Sequence, residues 1–536
     1  MPAPDRPEDI IARCYQSLAL RPDDPVVHVT LGSALWTTGA REEAIGHFAR
    51  AVELDPGYVD ARDGYGNALS RSGRFAEAVA QFRAAVALRP EEGELHYHLG
   101  NALLGSGEPV EAEACYHDAL ARRPDHAGAL NNLGNAMRSQ QRYAEAIPFY
   151  RRALALRPEY FGTRNNIGSA LLALHRPAEA IPYFQAALAA RPDYAEACNN
   201  LGGAKLALGH PAEAVAWFRR AVELDPDQVQ AQLGEALALL SMGNFRRGWA
   251  VYEARWRMPQ FRADVPALAD LHWDGAAEVS GRTILLYAEQ GLGDTIQFVR
   301  YAKRLRARGA RVVLSVQPSL VRLFAGLGDA VIAQTDALPP HELHCPLMSL
   351  PLAFGTELAT IPAEIPYLQA DAALVAAWAE RLGMQRRRRI GVAWSGSAEH
   401  PEDALRSIPL AAFLAALEGA NCDLHILQTE ISSEDGALLE GMAGIGVHRD
   451  RLTDFAETAA LIACLDLVIS VDTSVAHLAG AMGVPVWVLV QSSADFRWLR
   501  DRADSPWYPT MRIFRQRTLL EWAPVLAEVR AALTGS

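Results

Sequence analysis

Residues Ile469-Ser-Val-Asp-Thr-Ser-Val-Ala-His477-Leu-Ala-Gly480 gather an acid, two hydroxyls and an imidazole into one short segment. A buried apolar strand ends at Asp472, and Thr473 and Ser474 open a helix. The first N–H groups of a helix lack intrahelical acceptors and its dipole favours negative charge, so this turn suits a phosphate. The two hydroxyls add donors, and His477, one turn in, can reach the same anion or an attached sugar. An ordinary helix cap with a packed histidine has the same spacing, and the residues alone leave both readings open. A second acid, Asp294, closes the Gly291-Leu-Gly-Asp294 turn after another apolar strand. On spacing alone its carboxylate reads as a cap for the helix that starts there.

A third set is a row of primary amides. Asn132, Asn166 and Asn200 recur at intervals of 34 residues. Each amide carries both a donor and an acceptor, so a row of them can clamp an extended peptide backbone, or tie neighbouring structural units together. At the preceding equivalent positions stand Thr30, Gly64 and His98, which break the row.

The elements that must position these groups are of two kinds. From 23 to 260 the chain repeats itself. Prolines stand at 22, 56, 90, 124, 158, 192 and 226, with Gly32, Gly66, Gly100, Gly134, Gly168 and Gly202 in one register and Ala44, Ala78, Ala112, Ala146, Ala180 and Ala214 in another. A large aromatic follows four residues after each alanine (Phe48, Phe82, Tyr116, Tyr150, Phe184, Phe218), and a further alanine three residues later. Small residues let two helices of a unit approach, the aromatic is expected to fill the gap to the next unit, and proline ends the second helix. This pattern resembles the tetratricopeptide repeat, an α superhelix with a groove for a protein or peptide partner. Residues 1–22 read as a leading helix. The seventh unit decays, with Ala236 for Gly, Gly248 for Ala and Arg255 for Ala.

After Gln260 that period stops. Strands at 283–287 and 311–316 alternate with a glycine turn and a helix, and the alternation restarts with strands at 390–394, 424–428, 467–471 and 484–490. Strand–turn–helix units of this kind imply parallel sheets. The expected domains are an array at 1–260, a linker at 261–281, a first Rossmann-like lobe at 282–385 and a second at 386–536, with a cleft between the lobes.

The Asp472–His477 segment, with Gly291-Leu-Gly-Asp294 and Arg406-Ser-Ile-Pro409, resembles the heptosyltransferase-like glycosyltransferases of family 9, over about residues 282–533. That resemblance implies a two-lobed GT-B fold. It places Gly291, Gly293, Asp472, Thr473, Ser474 and His477 around a nucleotide-sugar donor, with Arg406 facing the diphosphate, where a planar guanidinium suits phosphate oxygens. It also makes Asp294 the candidate general base that takes the proton of an attacking hydroxyl. Gln428, at a strand end, is a candidate contact to base or ribose, and His344 a candidate contact to the acceptor. The family pattern is departed from at 397–405, which has no lysine, and at Thr429, where a basic residue is expected.

The formal charge of −12 argues against a general nucleic-acid or membrane-surface binder. The six cysteines show neither metal-ligand nor disulfide-framework spacing, and Asp225-Pro-Asp227 falls in a turn between repeats, so no metal or other cofactor is expected. No signal peptide and no membrane span are expected, which points to a cytoplasmic protein. Protein O-GlcNAc transferases and the bacterial repeat glycosyltransferases that modify flagellin share this combination. The expected function is therefore sugar transfer from a nucleotide-sugar to Ser/Thr of a protein docked on the repeats. Transfer to a lipid-linked or polysaccharide acceptor, and a scaffold with impaired catalysis, are the alternatives.

Overall fold

The computed structural model describes residues 6–262, 271–397, 403–440, 442 and 444–535. Parts of the expected linker and of the altered 397–405 loop lie outside the described residues. Fifteen helices run from Pro7–Leu20 to Phe245–Tyr252, followed by parallel-sheet α/β structure. The chain divides into two compact units, Met1–Ala204 and Lys205–Ser536.

In the first unit the periodic residues act as their types dictate. The second helix of each repeat stops before its proline: Arg41–Leu54 ahead of Pro56, Phe75–Leu88 ahead of Pro90. The periodic aromatics do not only fill gaps between units. Five of the six lie on the glycine of their own unit, where a Cβ on Gly134 would stand 2.5 Å from the Tyr150 ring and one on Gly168 2.5 Å from Phe184, while Phe218 lies on Gly234 of the following unit. Phe48 also touches Gly64 of the following unit. Glycine is therefore required there by a ring, not by backbone strain.

In the second unit the helices of the seventh repeat join the α/β core. Ala236, Leu240, Phe245, Trp249 and Tyr252 belong to one buried cluster with Trp273, Phe298, Phe496 and Trp507. The Trp249 ring centre lies 5.7 Å from Phe298 and 5.3 Å from Phe496, both edge-to-face. The substitutions that erode the repeat pattern in this unit thus accompany a change of packing partner.

Two fully parallel sheets follow. Strands β1 (Thr283–Tyr287), β2 (Arg311–Val316), β3 (Ala330–Ala333) and β4 (Leu343–Pro346) lie in the order β3-β2-β1-β4. Strands β5 (Arg388–Ala393), β6 (Cys422–Ile426), β7 (Ile445–Val447), β8 (Leu467–Val471), β9 (Val486–Val490) and β10 (Met511–Arg515) lie in the order β10-β9-β8-β5-β6-β7. The strand expected from 484 starts at Val486, because the Val484 N–H closes the preceding helix on Ala479 O at 3.0 Å. Both central strands, β1 and β8, are near-continuous apolar runs, as strands covered on both faces must be.

Candidate functional site

In an open parallel sheet, ligands collect beyond the carboxyl ends of the strands where the strand order reverses. The larger sheet reverses between β5 and β8, and the smaller between β1 and β4. The loops at these two points carry most of the residues singled out above.

After β1, the backbone N–H of Gly291 donates to Asp294 Oδ2 at 3.0 Å, so Asp294 does cap the Leu292–Phe298 helix. Its other oxygen accepts from the guanidinium of Arg497, which comes from the loop after β9. Arg497 is buried, also donates to Asp495 at 2.6 Å, and lies 4.4 Å over the Phe496 ring. These two acids hold its pKa well above the usual arginine value. Gly293 packs directly on the second sheet's helix: a Cβ there would lie 3.0 Å from the His477 ring.

After β8, Asp472 Oδ2 accepts from Trp498 Nε1 at 2.7 Å, one residue beyond Arg497. Burial, reinforced by the Asp495 charge, raises the Asp472 carboxyl to about 6. Thr473 precedes the Ser474–Ala481 helix and its hydroxyl pairs with Ser470 Oγ at 3.0 Å. His477 is buried, stacks on Trp498 at 5.2 Å and meets the Tyr508 hydroxyl through Nδ1 at 2.9 Å. Burial, aided by the Arg497 and Arg300 charges, drives its pKa well below the ordinary value, so the ring is neutral. Its other ring nitrogen, Nε2, faces Asp472 Oδ1 at 3.9 Å. Trp507 and Tyr508 are core residues, and Tyr508 meets the histidine from within that core.

Across the β5–β8 reversal, Arg406 Nη1 donates to the Asp472 carbonyl at 3.2 Å and Nε to Asp403 at 3.1 Å. Its guanidinium lies on Gly396, where any Cβ would collide with it. Arg406 therefore stands beside the helix N-terminus that the sequence marked for phosphate. Gln428 does not present a free amide there. Its Oε1 accepts from Trp394 N and Ser395 N, each at 3.2 Å, and its Nε2 donates to Ser395 Oγ and to Glu430 O, which fixes the β5 loop.

The β1–β4 reversal holds a group that the motifs did not reveal. Glu289 Oε1 accepts from Met348 N at 3.2 Å and from Arg255 Nη2 at 3.1 Å, while its Oε2 is buried without a partner. Burial raises its carboxyl to about 7 against the Arg255 charge, with Asp294 adding to the rise. Arg255 is fully buried and also bonds Glu253 at 2.6 Å and Ser349 at 2.7 Å. Nearby, Gln290 Nε2 donates to Tyr252 OH at 2.8 Å. One signal in the sequence bore on this: Arg255 stands where earlier repeats carry a buried alanine, and a guanidinium in such a place needs acids.

The remaining candidates lie elsewhere. His344 is on β4, with its ring against His272 and Tyr287 at 5.5 and 5.9 Å. The amide row belongs to the first unit, where each donor bonds back to the previous repeat. Asn132 reaches Asn101 at 2.8 Å, Asn166 reaches Asn135 at 3.0 Å and Asn131 at 3.3 Å, and Asn200 reaches Asn165 at 3.0 Å and Ser169 at 3.1 Å. All three asparagines are half-buried.

Tetratricopeptide-repeat models match residues 26–58, 64–114, 99–161 and 165–229. The glycosyltransferase family 9 (heptosyltransferase) model matches residues 452–516, which carry Asp472, His477, Arg497 and Trp498. Protein FlbA of Caulobacter vibrioides is 28% identical over 330 residues, 56% of this chain and 54% of its own. The chain thus spans about half the length of that relative. Protein arginine N-methyltransferase 9 of Homo sapiens is 38% identical over 60 residues, 11% of this chain and 7% of its own. Among solved structures, the APC/C hetero-tetramer Cut9-Hcn1 aligns at 18% identity and TM-score 0.39 over 44% of this chain and 46% of its own. MamA aligns at 24% identity and TM-score 0.29 over 32% and 94%. These structural likenesses are too partial to carry argument. The tetratricopeptide-repeat matches thus fall on the helical array, and the glycosyltransferase family 9 match falls on the part of the second sheet that carries β8, β9 and the loop between β9 and β10.

Proposed function

We propose that the chain transfers a sugar from a nucleotide-sugar to a Ser/Thr hydroxyl of a cytoplasmic protein recruited by its repeats, flagellin being one candidate, through a GT-B type cleft. The observation that carries this reading is the loop after β9, which binds Asp294 through Arg497 and Asp472 through Trp498 and so joins both switch points into one site. In this mechanism the donor diphosphate lies between Arg406 and the N-terminus of the Ser474–Ala481 helix. Those groups meet the charge that develops as the sugar–phosphate bond breaks, without requiring a metal ion. Asp294, oriented by Gly291 and Arg497, takes the acceptor proton. His477 is neutral, and in the tautomer that accepts from Tyr508 its Nε2–H suits donation to a sugar or phosphate oxygen beside Asp472.

Intact-mass analysis of candidate acceptor proteins incubated with a panel of nucleotide-sugars tests this. The expected result is a mass gain of one sugar that Arg406→Ala and Asp294→Ala each reduce by at least about a hundredfold, the usual scale for a removed electrostatic or proton-transfer group. Equal gain with both variants counts against the mechanism. The inter-repeat bonding of the asparagines favours a second reading, in which the acceptor is a lipid-linked or polysaccharide glycan. That reading is distinguished by transfer to a glycan in the same assay while every protein acceptor stays at its starting mass.

A further inference from the structure

Arg500 and Arg515 form a cationic pair that nothing in the proposed reaction uses. Arg515 ends β10, at the same carboxyl edge of the sheet as Asp472, and its Nη2 donates to the carbonyls of Trp498 and Leu499 at 3.0 and 2.8 Å. Its Nε is buried without a partner. Arg500 follows directly, in a turn whose flanking residues Leu499 and Asp501 have φ of 46° and 54°. Its half-buried guanidinium rests against Gly209, where a Cβ would collide, and among the described residues it makes neither a hydrogen bond nor an ion pair.

Arg515, like Arg500, is half-buried, and a cation withdrawn from water normally has an acid to match it. Here the acids whose charges act on Arg515 are Asp501 and Asp472, neither in ion-pair contact with it among the described residues, and the cation whose charge acts on it is Arg500, which follows directly on the Leu499 carbonyl that Arg515 holds. Burial, then the Arg500 charge, pushes Arg515 down to about 10, and burial lowers Arg500 as well. In a chain of net charge −12 this is a positive spot where, among the described residues, neither guanidinium makes an ion pair. Guanidinium forks match the oxygen spacing of carboxylates and phosphates. The spot also adjoins the crevice, because Trp498, whose carbonyl Arg515 holds, contacts both Asp472 and His477.

We propose that Arg500 and Arg515 form an anion subsite beside the crevice that takes a carboxylate or phosphate group of a bound ligand. The subsite stands independently of sugar transfer; where that reading holds, it selects a charged sugar or a charged acceptor group.

Ligand-observed NMR on the full chain tests this with three probes: glucuronate, inorganic phosphate and, as the neutral control, glucose. Saturable binding of at least one anion and none of glucose is expected. Arg500→Gln, which loses no hydrogen bond within the protein, should weaken that binding on the order of tenfold, the scale of one charge-assisted contact. Arg517→Gln, an exposed position, should leave it unchanged. Preference for glucuronate assigns the subsite to a sugar carboxylate, and preference for phosphate to a phosphoryl group. Arg515→Gln is a second variant, and should it fail to fold, Arg500→Gln decides alone. Anion binding no stronger than that of glucose, or unchanged in Arg500→Gln, overturns the subsite. A parallel titration with nucleoside diphosphates separates the two ideas. Diphosphate binding without anion binding removes only the subsite, and anion binding without any diphosphate binding removes only the transferase reading.

Discussion

Asp472 is held in its buried place at a cost in stability. Its carboxyl rises from 3.8 to about 6 because burial and Asp495 disfavour the charge more than Trp498, Arg497 and Arg406 favour it. Between those two values the native state holds a proton that the unfolded state has released, so stability falls as pH rises through this window. Below about pH 4 both states are protonated and the penalty vanishes. Asp472→Asn keeps an acceptor for Trp498 and removes the charge. It should therefore be more stable than the parent at pH 8, by on the order of 2 kcal/mol, with the difference largely gone at pH 4. Calorimetric melting at the two pH values checks this. A variant destabilised at pH 8 would show that the charge is compensated in the native state.

At the scale of elements, the repeat helices were legible because one packing rule recurs in five successive units: a ring on the second helix requires glycine on the first. The rule makes glycines of equal helix propensity respond in opposite directions. Gly168→Ala forces a Cβ to 2.5 Å from Phe184 and should cost about 1–3 kcal/mol, as overpacking does. Gly46→Ala, in the interior of the Arg41–Leu54 helix with nothing within 4 Å, should stabilise by about 0.5–1 kcal/mol. Urea midpoints that moved the same way for both would contradict the ring–glycine account. The strands were legible as apolar runs, and Asp472, Thr473, Ser474 and His477 were legible because strand end and helix start coincide there. The loop after β9 was not. Arg497 and Trp498 have no period and no local motif, and their roles arise from tertiary contacts with Asp294 and Asp472, 203 and 26 residues away. Gln428 shows the converse: expected to end a strand, it lies beyond β6, which stops at Ile426, and a buried amide with backbone groups nearby satisfies those first.

For the whole molecule, the decisive question is where the array can be cut. The 34-residue period runs on to residue 260, whereas the compact unit that holds both sheets begins at Lys205. The seventh unit explains the difference. Trp249 is almost wholly buried against Phe298 and Phe496, and Arg255 is wholly buried among Glu253, Glu289 and Ser349. Removing residues 1–260 would strip an indole from the core and leave Glu289 buried without its guanidinium. Truncating one large core aromatic costs about 3–5 kcal/mol, and breaking a buried ion pair a similar amount, which together approach the whole stability of a domain. A chain starting at Lys205 keeps both contacts. It should be monodisperse in size-exclusion chromatography and melt cooperatively, whereas one starting at residue 261 should aggregate or show no cooperative transition. Cooperative melting of the shorter chain would mean that the seventh unit is dispensable to the α/β core. Single substitutions then locate the cause. Trp249→Ala in the longer chain should reproduce most of the loss, and Arg255→Met, which removes the charge but keeps the volume, should fold better at pH 5 than at pH 8, because Glu289 is then free to take up its proton.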